Sequence, residues 1–141
     1  MKFPPFNIGT DIVHLPRIAR LIHRPDYLPR FTRRILTDQE QHDFRTRFAL
    51  PPGSKSPPQL SPDMTRWLAG RFAAKEAARK AAPEGAASLG WKDVMVRVGA
   101  ATEKGSARPE IVYVGGEERI GKLSISHDGE YVVATVLAMD H

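Results

Sequence analysis

The sequence predicts an α+β fold, with helices packed on a largely antiparallel sheet. Three observations predict it. A β-branched segment, Phe6 to Val13, opens the chain. Apolar residues then recur at helical spacing, interrupted by one proline-rich stretch. Beyond Pro83 the pattern becomes short β-branched runs separated by glycines, which suits strands and turns.

The elements follow in order. Gly9 in the first strand permits close backbone approach. Pro16 suits the first turn of a helix whose apolar stripe is Ile18, Leu21 and Ile22. Arg17, Arg20 and Arg24 share another face of that helix. A second helix starts at Thr37, because Thr37-Asp38-Gln39-Glu40 has the capping-box pattern. Phe44 and Phe48 then fall on one face. Residues 51–62 hold five prolines, Gly53 and three serines, which form neither a regular helix nor a central strand. They are expected to be a solvent-exposed insertion within a single domain covering residues 1–141.

Thr65 to Ala82 is the clearest helix, alanine-rich and ended by Pro83. Gly70 inside it costs about 1 kcal/mol relative to alanine, so it is expected to serve close packing. Val94–Val98, Glu110–Val114, Leu123–Ser126 and Tyr131–Leu137 are expected strands. Gly115-Gly116 and Asp128-Gly129 supply turns, the second with hairpin chemistry.

Composition narrows the chemistry. The absence of cysteine excludes disulfides, zinc–thiolate sites and cysteine nucleophiles. No apolar run is long enough to span a bilayer. Residues 1–6 match neither a secretory signal nor a long amphipathic presequence. A soluble intracellular protein is expected, cytoplasmic, with mitochondria as the alternative. The net charge is +5, and most of it is concentrated. Eight arginines and no lysine lie between Pro16 and Leu50, against four acids. Such a segment attracts an acidic partner.

Glu76 and Lys80 are four apart on the strongest helix. Taken alone they are a solvated ion pair worth a few tenths of a kcal/mol. Asp11 alone could merely end a strand. Taken together, Asp11 and Glu76 offer carboxylates from two elements. A hard cation such as Mg²⁺ takes one or two carboxylates, with waters and substrate phosphates completing its shell. Lys80 could meet a phosphate oxygen and offset charge on a leaving phosphate. His127, expected in a turn after a strand, is either a structural histidine or a phosphate contact.

The chain resembles the holo-[acyl-carrier-protein] synthases, the small type of 4′-phosphopantetheinyl transferase. Four pieces carry the resemblance, in family order: Ile8-Gly9-Thr10-Asp11-Ile12-Val13 with Arg17-Ile18; Arg30-Phe31 with Arg34-Ile35-Leu36-Thr37; Leu68-Ala69-Gly70-Arg71-Phe72-Ala73-Ala74-Lys75-Glu76-Ala77 with Lys80-Ala81; and Leu123-Ser124-Ile125-Ser126-His127-Asp128. The insertion and residues 99–110 remain unmatched.

The resemblance implies the phosphopantetheinyl transferase fold. It also implies transfer of phosphopantetheine from coenzyme A to a serine of an apo-acyl carrier protein, releasing adenosine 3′,5′-bisphosphate. By the same resemblance, Asp11 and Glu76 hold Mg²⁺ or Mn²⁺, and Glu76 and Lys80 are catalytic. Arg71, Lys80, Ser126 and His127 line the coenzyme A site. Arg17, with Arg20 beside it, faces the carrier protein. The serine proton goes to a metal-organised water or to Glu76 through a water. A homotrimer with coenzyme A between subunits is implied, as is a role in fatty acid biosynthesis. Two departures stand out. The family's Gly-Thr-Gly-like turn is here Ala82-Pro83-Glu84-Gly85-Ala86-Ala87. The proline-rich insertion is atypical of compact bacterial members and points to a eukaryotic homologue serving a mitochondrial carrier.

The basic segment also admits a non-enzymatic nucleic-acid-binding module. It lacks the interleaved aromatics that stack bases, and the chain carries no zinc-finger or RNA-recognition signature. Neither nucleic acid nor a membrane is therefore the expected partner. An inactive carrier-protein binder is disfavoured by Asp11, Glu76 and Lys80 occurring together.

Overall fold

The computed structural model describes residues 2–51, 58–98, 107–115 and 117–140. The opening strand β1 spans Phe6–His14 and runs directly into helix α1, Leu15–Ile22. Pro16 occupies the first turn of α1, where its missing N–H has no partner to lose. Helix α3, Asp38–Arg47, begins at the expected capping box. Glu40 N donates to Thr37 Oγ1 (3.2 Å), and Thr37 N donates to Glu40 Oε1 (2.9 Å).

Helix α2, Tyr27–Ile35, has no counterpart among the sequence expectations. Its four arginine-and-proline positions hide an apolar stripe of Leu28, Phe31 and Ile35, all buried. Pro29 does not break it, because it lies in the first turn.

Helix α4, Pro62–Ala81, starts three residues before the expected Thr65. Ser61 caps it, its hydroxyl accepting from Met64 N at 3.2 Å, and Pro62 is the first helical residue. The proline-rich insertion therefore ends at Ser61, not Pro62, and its residues 52–57 lie outside the described residues. Two short 3₁₀ turns, Ala86–Ser88 and Trp91–Asp93, connect α4 to the sheet.

The remaining strands are β2 (Val94–Val98), β3 (Pro109–Tyr113), β4 (Arg119–Asp128) and β5 (Tyr131–Met139). They join β1 in one sheet of order β1-β5-β4-β3-β2, antiparallel throughout. β4 is longer than expected at both ends and contains His127, which pairs with Val132; that residue lies in a strand rather than in a turn after one. The β4–β5 connection is the two-residue loop Gly129-Glu130, where Gly129 takes the left-handed φ of 54° that such a loop asks of its first residue. Gly116 of the other expected turn lies outside the described residues.

One sheet face packs on the helices. Val132, Ala134 and Val136 of β5 point into a core shared with Ile18, Leu68, Ala73 and Ala77. The alanines let strand and helix backbones meet. A Cβ on Gly9 would fall 2.0 Å from Ala77 O and 2.8 Å from Ala81 N, so only glycine fits there. Gly70 corrects the sequence expectation, since a Cβ at that position would meet nothing within 4 Å.

A buried ion pair pins the layers together. Lys75, fully buried on α4, donates to Glu40 Oε1, to Ile35 O (2.6 Å) and to Trp91 O (3.1 Å). Glu40 Oε2 accepts from Val96 N at 3.0 Å. Burial pushes the Lys75 ammonium below its usual range, with Glu40 opposing. This pair ties α3, α4, the end of α2 and strand β2 at one point.

Candidate active site

The contact of Gly9 with Ala77 sets β1 against the last turns of α4. The next strand residues, Thr10 and Asp11, therefore lie beside Lys80. Its Nζ donates to Thr10 O (2.9 Å) and reaches Asp11 Oδ1 (3.3 Å). Asp11 pairs across the sheet with Ala134, a residue of the helix-facing row. Its carboxylate consequently points toward α4, as alternation in a strand requires. Glu76 stands one turn before Lys80 on the same helix face.

The Glu76–Lys80 pair that spacing alone suggests is not made. Lys80 bridges to β1, and Glu76 Oε1 accepts instead from Arg79 Nη1 at 2.7 Å. Glu76 remains about a quarter exposed (24%), enough to be reached from solvent. Among the described residues, no three His, Asp or Glu side chains cluster as a metal cage. The corner thus offers two hard carboxylates and a half-exposed ammonium. That donor set suits a cation that completes its shell with water and phosphate oxygens, as Mg²⁺ does.

Within one chain, the other expected ligand residues lie elsewhere. Arg71 stacks on Trp67, with its guanidinium 4.2 Å from the ring centroid. Its Nε is buried without a hydrogen-bond partner among the described residues. Burial lowers its pKa from the ordinary arginine value, against the pull of Glu40 and Asp43. Arg71 lines a cleft of about 690 Å³ between α3, α4 and β2, together with Arg47, Arg97, Asp43 and Trp67. Ser126 and His127 are exposed near the end of β4. Ser126 pairs with Val133, which pairs with Ile12, on the sheet face turned away from α4.

Arg17 and Arg20 are exposed on α1, and Arg17 also lies over the Phe72 ring at 5.4 Å. Phe72 is one turn before Glu76 on α4, so the basic surface adjoins the carboxylate corner. Arg30, Arg33 and Arg34 extend that surface along α2, which periodicity had not revealed. Arg79 was also missed as a site residue, because an i, i+3 partner of Glu76 looks no different from any solvated pair. Arg47 and Arg97 could be found only by knowing that β2 lies beside α3.

The chain has matches among known proteins in both sequence and fold. The family described as ACPS, 4′-phosphopantetheinyl transferase superfamily, matches residues 7–136. A relative from Aspergillus fumigatus, 4′-phosphopantetheinyl transferase B, mitochondrial, is 69% identical over 151 aligned positions, covering 98% of this chain and 97% of its own. A holo-[acyl-carrier-protein] synthase from Gloeobacter violaceus is 39% identical, covering 92% of this chain and 89% of its own. The crystal structure of a holo-(acyl-carrier-protein) synthase from Bacillus anthracis, in complex with CoA (3′,5′-ADP), superposes with a TM-score of 0.64 at 31% identity, covering 96% of each chain. These matches establish that the chain belongs to the 4′-phosphopantetheinyl transferase superfamily, as an enzyme of the holo-[acyl-carrier-protein] synthase type.

Proposed function

We propose that this enzyme moves 4′-phosphopantetheine from coenzyme A to a serine hydroxyl of an apo-acyl carrier protein, in a Mg²⁺-dependent reaction that releases adenosine 3′,5′-bisphosphate. Mn²⁺ is a suitable substitute. One observation carries the reading: Lys80 bridges α4 to Asp11 on β1, one helical turn from Glu76. Asp11 and Glu76 would hold the cation. When bound, such a cation would neutralise phosphate charge.

Lys80 is free to exchange its contact with Asp11 for a phosphate oxygen, because its side chain is about half exposed (47%). Placed there, its ammonium offsets negative charge that builds on the departing bisphosphate. The serine proton would go to a metal-organised water or to Glu76 through a water. Arg71, with its unpartnered Nε in a cleft lined by two further arginines, suits a phosphate of coenzyme A. Arg17 and Arg20 steer an acidic carrier surface toward the corner.

Ser126 lies on the uncovered sheet face, away from Lys80 of its own chain. A homotrimer with coenzyme A between subunits reconciles that position with a role at the ligand. The uncovered face supports such an assembly, since Ile8, Ile12, Tyr131 and Met139 on it are each about half exposed or more. No helix among the described residues is long and apolar enough to cross a membrane. The Aspergillus relative named as mitochondrial favours a mitochondrial setting over a cytoplasmic one.

The test is a mass-shift assay with coenzyme A, Mg²⁺ and an apo-carrier protein. Wild-type enzyme should add the phosphopantetheine mass to the carrier. Glu76→Gln and Lys80→Ala should each lower kcat by about 10²-fold or more while keeping the fold. Wild-type turnover in both variants would refute the site.

A further inference from the structure

Arg79 holds the reactive carboxylate and the following chain segment in a single planar fork. Its Nη1 donates to Glu76 Oε1 (2.7 Å). Its Nε donates to Leu89 O (2.7 Å), and its Nη2 donates to Ala86 O (2.9 Å). Its flat face lies over the Trp91 ring, 5.2 Å from the centroid. Trp91 is itself backed by Phe72 at 5.0 Å. All three nitrogens of the guanidinium are thus engaged, and the group is about four-fifths buried.

A guanidinium is rigid and planar, so its three contacts cannot move independently. The direction of Nη1, and with it the orientation of Glu76 Oε1, is set by two backbone carbonyls of the segment 86–89. Beside the packing of Leu89 against the core, the segment's own bonds are single turns such as Ser88 N to Gly85 O (3.2 Å) and Ser88 Oγ to Glu84 O (2.9 Å). The arrangement also leaves Glu76 Oε2 without a hydrogen bond among the described residues.

We propose that Arg79 is a positioning residue. It orients Glu76 so that Oε2 is presented to the cation, and it locks the segment Ala86–Leu89 to the same carboxylate, making acid and loop one rigid unit. The inference rests on the reading of Glu76 as a metal ligand. Lysine could not replace the arginine fully, because a single ammonium cannot span two carbonyls and a carboxylate in one plane.

The test uses the full chain with coenzyme A present, Arg79→Gln and Arg79→Lys variants, and Glu76→Gln as reference. Mn²⁺ binding is followed by loss of the free-ion EPR signal, amide exchange is read at residues 86–89, and kcat and KM come from the mass-shift assay. Partners that orient a ligating group are typically worth 10–100-fold in metal affinity or activity. Arg79→Gln should therefore weaken Mn²⁺ binding by about 10–100-fold. It should also lower kcat in step and accelerate exchange at 86–89. Arg79→Lys should recover part of the Mn²⁺ affinity but none of the exchange protection, and it carries the test if the glutamine variant does not fold. A folded variant with Mn²⁺ affinity and kcat within about twofold of wild type, as expected if Arg79 merely supports stability, overturns the proposal. Should Glu76→Gln itself leave Mn²⁺ binding unchanged, the metal reading and the inference fall together. Loss in Glu76→Gln but not in either Arg79 variant overturns the inference alone.

Discussion

Replacing Lys75 with methionine isolates the energetics of the buried node. The methionine side chain would fill similar volume but leave the Glu40 carboxylate buried with only its two backbone donors, Thr37 N and Val96 N. Removing one partner of a buried pair typically costs about 3–5 kcal/mol, because the other charge stays desolvated. Unfolding entropy of about 2.1 cal/mol/K per residue gives about 3 °C of Tm per kcal/mol for 141 residues. Lys75→Met should therefore melt about 10–15 °C below wild type. Glu40→Leu should cost at least as much, since it also orphans the buried Val96 amide. The double variant removes both charges and leaves chiefly the orphaned Val96 amide, so it should lose about 1–3 kcal/mol, well short of the sum of the single losses. The assay is urea unfolding at fixed protein concentration, completed as a double-mutant cycle. A Lys75→Met loss below about 1 kcal/mol, or strict additivity in the double variant, would refute the claim that this pair is a coupled, desolvated unit.

Other expectations follow from the same geometry. Gly9→Ala places a methyl 2.0 Å from Ala77 O, and should destabilise by about 1–3 kcal/mol or more while also lowering turnover, because it moves Asp11 from Lys80. Gly70→Ala meets open space and should stabilise by about 1 kcal/mol, seen as a Tm rise of about 3 °C; a loss of stability would restore the close-packing reading. Burial raises the Tyr113 phenol from 10.0 to about 12. Since the folded value is the higher one, its contribution is whole below pH 10 and is lost between pH 10 and 12, by up to about 3 kcal/mol. Urea midpoints for wild type and Tyr113→Phe should converge across that window, and parallel curves would contradict the assignment. On the proposed homotrimer through the uncovered sheet face, wild type should scatter light with a trimer's mass and Ile8→Asp with a monomer's, and equal masses for the two would refute that interface.

Most of the fold was legible because two periods dominate it. The alternation in β5 and the alanine-rich run of α4 each specify one buried face, and the Thr37 capping box marks a helix start that the structure reproduces atom for atom. Helix α2 escaped because a buried stripe of three residues among arginines and a proline carries little periodic signal over nine positions. The start of α4 escaped because Pro62 reads equally as the end of a proline-rich loop or the first residue of a helix. Only the Ser61 hydroxyl on Met64 N decides between them.

The site was legible to a different depth. Spacing alone put Glu76 and Lys80 on one face, but it chose the wrong partners, since a helix gives i, i+4 neighbours equal claim until a strand arrives to compete. Lys80 leaves Glu76 because Gly9 lets β1 approach closely enough for Thr10 O and Asp11 to displace it. Glu76 then turns to Arg79, whose remaining donors are claimed by carbonyls ten and seven residues onward. A tertiary contact at a residue with no side chain therefore redistributes two ion pairs on a helix it merely touches. The two carboxylates thus have different partners, Asp11 a half-exposed ammonium and Glu76 a guanidinium whose other donors are fixed on backbone carbonyls. That asymmetry is the physical basis for expecting, on the proposed reaction, that Lys80 moves to the substrate while Glu76 keeps its orientation.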